Sequence, residues 1–158
     1  MKCLRLAPTT FVIVFAALLV PGIVPRALAG GCTNATLRGT FGYTATGTLL
    51  PAAAPPPFAG PFGEVGRQTF DGEGHTDATA TLSANGNIIK VTVQGTYTVN
   101  PDCTGSMTLN VSPLGATTHV DFVIGDDRVE IRTIATDPGT IETRDYRKQF
   151  RGSHEDHE

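Results

Sequence analysis

Several groups of residues in this 158-residue chain have types and spacing that could do chemistry. The densest is Asp71, Glu73, His75 and Asp77 in the run DGEGHTD. Alternating acids suit Ca²⁺, which takes roughly six to eight oxygens from a flexible loop. The run lacks the fixed glycine and closing glutamate of a helix-loop-helix calcium site. Gly72 and Gly74 account for it as a turn, so no metal is expected there. His119 and Asp121 share one face of an alternating segment, but no serine or free cysteine stands in a recognisable nucleophile motif, and His119 is expected at the surface. His154 and His157 near the C-terminus could approach a metal, yet a fraying end offers no preorganised geometry. Glu64, Arg67 and Arg132 lie within extended segments. If one of them faced an interior it would need a partner, and it would then point to function. Catalytic residues stay unassigned and no cofactor is expected.

The remaining group is aromatic: Phe41, Tyr43, Phe70, Tyr97 and Phe122, all in segments of alternating polarity. Aromatics at a spacing of two are ordinarily core. Here they are also expected to line whatever cavity exists, because Gly39, Gly95, Ala78 and Ala80 beside them are small enough to leave room.

The elements that must position these groups are strands. Ile89, Val91, Val93, Gly95, Tyr97 and Val99 fall on one face, with Lys90, Thr92, Gln94, Thr96 and Thr98 on the other. Met107, Leu109 and Val111 alternate in the same way, as do Val120, Phe122 and Ile124, and this period of two marks half-buried strands. Asp71-Gly72, Asn85-Gly86, Asn100-Pro101-Asp102, Pro113-Leu114-Gly115, Gly125-Asp126-Asp127 and Asp137-Pro138-Gly139 separate the runs as turns. The predicted strands cover 36–48, 62–71, 75–84, 87–99, 104–112, 117–124, 128–136 and 139–149. Eight strands joined mainly by hairpins predict an all-β fold, an antiparallel up-and-down β-barrel in which closure removes both sheet edges. A two-sheet β-sandwich is the alternative. The proline-rich stretch Leu49 to Pro61 is expected to cross a barrel end as a loop or lid.

Residues 1–29 read as a secretory signal: Lys2 and Arg5, the apolar run Phe11 to Val20, then Ala27-Leu28-Ala29 before the cleavage point. The run is half the roughly twenty apolar residues a membrane-spanning helix needs. Cleavage after Ala29 leaves 129 residues from Gly30, enough for one domain over 30–150, with a polar, disordered tail at 151–158. The mature chain would be secreted or periplasmic, with no transmembrane segment. It carries nine Lys and Arg against 15 Asp and Glu, about −6, with no basic stripe to meet nucleic acid. Cys3 leaves with the signal. Cys32 and Cys103 remain, an even pair that reads as a disulfide in an oxidising compartment. Lipid attachment at Cys32 is the competing use, although Leu28 stands one residue too far upstream of it.

Three blocks carry a family resemblance: Cys32 to Tyr43 (CTNATLRGTFGY), Val65 to Gly74 (VGRQTFDGEG) and Gly95 to Gly105 (GTYTVNPDCTG). Phe122-Val123-Ile124 and Ile134 to Gly139 (IATDPG) complete it. The chain resembles the exported bacterial proteins described as allene oxide cyclase barrel-like, over nearly all of its mature length. The resemblance implies a calycin-like and dirigent-like barrel of eight strands. It does not imply the cyclase reaction, since fold and function separate readily. The first functional reading is a non-catalytic exported barrel that binds a small apolar ligand or a surface partner. The alternatives are a cyclase or isomerase acting in the lumen, and a structural envelope-associated barrel that self-associates.

Overall fold

The computed structural model describes residues 31–150. The expected signal, the tail and its two histidines lie outside the described residues. Among the described residues the chain forms a short 3-10 helix, Asn34–Leu37, and eight strands. These are β1 (Gly39–Leu49), β2 (Gly60–Phe70), β3 (His75–Ala84), β4 (Asn87–Val99), β5 (Thr104–Ser112), β6 (Ala116–Ile124), β7 (Glu130–Ala135) and β8 (Thr140–Lys148). Each pairs antiparallel with the next and β8 returns to β1, so the sheet closes into a barrel in chain order. The closed barrel replaces the sandwich alternative.

Strands β3, β4 and β5 have the expected bounds because turn residues sit at both ends of each. Asn85 and Gly86 both take positive φ, 47° and 85°, which a two-residue hairpin turn requires. The first strand starts three residues later than expected. Residues 34–37 curl instead, with Thr36 N–H bonded to Thr33 O at 2.9 Å and Thr33 N–H bonded to Thr36 Oγ1 at 3.0 Å.

The two ends of the barrel differ. At one end the segment before β1 folds inward, and Leu37 is fully buried in the main core with Phe41, Phe70 and Tyr97. Cys32 and Cys103 are joined by a disulfide with their Cα atoms 4.9 Å apart, which ties this plug to the β4–β5 turn. At the other end, here the mouth, residues 50–59 cross as the expected proline-rich loop. Asn85 and Asn87 donate to Pro57 O at 3.0 and 3.3 Å, and Leu50 N–H bonds to Gly139 O at 2.8 Å. Phe58 from this loop packs on a second apolar cluster of Ala45, Phe62, Leu82 and Ala84.

The walls are apolar inside and largely polar outside, the reverse of a barrel that faces lipid. On β3, for example, Thr76, Ala78, Ala80, Leu82 and Ala84 are buried while His75, Asp77 and Thr79 are exposed. No helix among the described residues is long and apolar enough to cross a membrane.

Candidate functional site

The five aromatics singled out in the sequence are all buried in the main core. Phe41 and Phe70 meet edge to face at 5.5 Å, and Phe70 meets Tyr97 the same way at 5.1 Å. Tyr97 reaches past the core: its hydroxyl donates to Asn34 O at 3.2 Å and accepts from Gly72 N–H at 2.9 Å. These contacts lie in the plugged half. The room expected beside Gly95 is also taken, since a Cβ there would stand 2.3 Å from Thr108 O and 2.8 Å from Leu109. At Gly39 the neighbour is Lys148, whose Cε would lie 3.0 Å away.

The mouth half is different because three adjacent strands place polar residues at inward positions. On β8 the inward set is Glu142, Arg144 and Tyr146; on β1 it includes Tyr43; on β2 it includes Glu64 and Gln68. Register brings them together: Tyr43 lies opposite Tyr146, and Ala45 lies between Arg144 on one side and Glu64 on the other. The small side chain of Ala45 lets Arg144 and Glu64 approach over it.

Arg144 Nε donates to Glu142 Oε1, and Arg144 Nη2 lies 3.9 Å from Glu64 Oε2. The side chains of Glu64, Glu142 and Arg144 are 7%, 5% and 5% exposed, so this is a buried ionic triad. Tyr43 donates its hydroxyl proton to Glu64 Oε1, and the guanidinium carbon of Arg144 lies 5.5 Å from the Tyr43 ring centre. Deeper in, Tyr146 donates to Gln68 Oε1 at 3.0 Å. Gln68 Nε2 in turn donates to Thr76 Oγ1 at 2.9 Å and lies 3.8 Å from Met107 Sδ.

Burial, and then the adjacent Glu64 carboxylate, push the Tyr43 hydroxyl far above the usual tyrosine range. Burial raises Tyr146 to about 12, against the opposing pull of Arg144. Both phenols therefore act as hydrogen-bond donors, not bases, at neutral pH. For Arg144, burial opposes the charge, but Tyr146, Glu142 and Glu64 outweigh it and hold the guanidinium above its ordinary range.

Of the three charged strand residues named from sequence, Glu64 is the one that faces inward. Arg67 is exposed on the outer wall, and Arg132 is 73% exposed beside Glu130 and Asp145. His119 is also outward, and its partner is Asp137 rather than Asp121: Nδ1 stands 2.7 Å from Asp137 Oδ1. The DGEGHTD run is a turn, with Asp71 Oδ1 accepting from the N–H groups of Glu73, Gly74 and His75 at 2.7, 2.9 and 3.0 Å. No group of three or more His, Cys, Asp or Glu among the described residues is placed to hold a metal ion.

Sequence reasoning missed Glu142, Arg144, Tyr146 and Gln68. The available signal was parity with Tyr146, whose face Glu142 and Arg144 share, but Ile141 on the opposite face of the same strand competes with it.

The fold and this interior define an up-and-down β-barrel whose lumen is apolar along most of its wall and ionic where β8 and β2 flank β1. No family model matches the chain, and no curated protein or solved structure matches it.

Proposed function

We propose that this chain is an exported, non-catalytic binding barrel, allied to the allene oxide cyclase barrel-like proteins, that takes a small and largely apolar molecule into the mouth half of its lumen. The observation that carries this reading is the position of Glu64, Glu142 and Arg144 inside the barrel, next to the apolar cluster of Ala45, Phe62, Leu82 and Ala84. A buried ion triad is a poor device for stability, because well-packed apolar residues of similar volume often serve as well or better. An eight-stranded barrel is just wide enough to be filled by side chains or to hold one small ligand. One end is plugged by Leu37 and the disulfide, whereas the other is crossed only by the loop 50–59, which leaves the mouth as the way in.

The test is native mass spectrometry of protein purified from a bacterial host expressing the full chain, followed by a thermal-shift screen of small apolar compounds. A co-purifying small molecule, or a compound that raises the melting temperature of the native protein but not of a folded Ala84→Leu variant that fills the mouth cluster, supports the reading. Finding no bound species and no stabilising compound would sink it.

A lumenal cyclase or isomerase is the second reading, and the hydrogen bond from Tyr43 to Glu64 in a water-poor interior favours it. Recovery of the bound molecule chemically unchanged after prolonged incubation excludes it.

A further inference from the structure

The charge of the mouth cluster restricts what it can hold, provided that the lumen is the binding site proposed above. Glu64 and Glu142 face one arginine, so the cluster has a formal charge of −1. Lys148, the next inward cation on β8, is at the plugged end, with Nζ 5.6 Å from the Phe41 ring centre. Arg144 is already committed, to Glu142, to Glu64 and to the face of Tyr43. The carboxylates are not. Each offers roughly four acceptor sites, and the contacts from Tyr43 and Arg144 use only part of that capacity.

A second observation points the same way. Among the described residues, Thr133 Oγ1 is the buried side-chain polar atom that lacks a hydrogen-bond partner, and Thr133 is 6% exposed. It faces inward from β7, directly opposite Arg144 of β8 in the strand register. Cβ atoms of such a pair are about 5 Å apart, so the orphaned hydroxyl borders the ionic cluster. A buried hydroxyl without a partner carries an uncompensated desolvation cost, which a bound polar group would recover. The β7–β8 ladder reaches Ile134 and Thr143 and stops one residue short of Glu142.

We infer that the ligand of this lumen carries a protonated nitrogen, an ammonium or amidinium on a small apolar body. The nitrogen is held by the spare oxygens of Glu64 and Glu142, with Thr133 Oγ1 as a further partner. The apolar body lies against Phe62, Leu82 and the underside of Phe58. Carboxylates and phosphates are rejected, because the single cation that could receive them is already neutralised.

The experiment compares benzylamine, benzyl alcohol and benzoate by titration calorimetry on the full-chain protein. Benzylamine should bind at least about tenfold more tightly than either analogue, the ratio expected for one charge-assisted hydrogen bond. Glu142→Gln should erase that preference, and Thr133→Val should weaken benzylamine severalfold. If Glu142→Gln does not fold, Glu64→Gln gives the same reading. Benzoate or benzyl alcohol binding as tightly as the amine would overturn the charge assignment and leave lumenal binding standing. Benzylamine that binds equally well to the glutamine variants would overturn it too, as surface association. No binding by any of the three overturns the inference, and the thermal-shift screen then decides separately whether the lumen binds anything.

Discussion

The hydroxyl of Tyr146 donates to Gln68 Oε1 at 3.0 Å, joining β8 to β2 across the inner face of β1 between residues 78 apart in the chain. This contact staples the barrel at its closing seam, since β8 and β2 flank the strand that completes the circle. Gln68 passes the connection on to Thr76 of β3, so the polar strip spans four strands.

Tyr146→Phe should therefore destabilise the barrel by about 1–2 kcal/mol, the cost of leaving a buried amide oxygen without its donor. Urea denaturation measures it. Wild-type stability in the variant would mean that the staple contributes nothing.

Arg144→Met should be far more damaging, about 3–5 kcal/mol, because it leaves two glutamates buried without a cation. Replacing Glu64, Glu142 and Arg144 together by Gln, Gln and Met should recover most of that loss. A triple variant as unstable as the single one would show that the triad is required for the fold itself, and would weaken the case for a functional origin.

The disulfide closes a loop with a sequence separation of 71, and in the chain-entropy model such a link is worth about 4 kcal/mol, less any strain. A Cys32→Ser, Cys103→Ser variant, or native protein under reductant, should lose stability on that scale while keeping its strand signature in circular dichroism. No change in the denaturation midpoint would contradict the role of the plug.

All three tyrosines are buried, and the pKa of each is raised above the ordinary 10.0, chiefly by burial. In the native state each phenol holds its proton where the unfolded chain would lose it. Their contribution is thus fully present below pH 10 and is lost as pH climbs through the raised values, to about 12 for Tyr146. Tyrosinate absorbance should stay flat through pH 10 and then rise together with alkaline unfolding. A simple titration centred on 10 in the folded protein would contradict the burial of the hydroxyls.

The strand content of this barrel was legible because Asn-Gly, Asp-Gly and proline turns punctuate a period-two pattern, and β3, β4 and β5 could be bounded from them alone. The ionic lumen was hidden for a physical reason. A strand's inner face is read from its apolar residues, and in the two strands beside β1 those residues mislead. Ile141 is 63% exposed and Val65 is 59% exposed, while Glu142, Arg144 and Gln68 take the inward positions. Glu64 could be suspected, but only the register of β1 with β2 and β8 brings it to Arg144. The start of β1 was misjudged because Thr33 and Thr36 bond to each other's backbone, a local preference that overrides alternation.

The position of the ligand in the barrel is measured most directly by a crystal structure of the protein grown with benzylamine. Density is expected in the mouth half of the lumen, with the nitrogen within hydrogen-bond distance of Glu64 or Glu142 and close to Thr133 Oγ1. Density confined to the outer wall, with the lumen closed around the ion triad and unchanged by the amine, would contradict this placement.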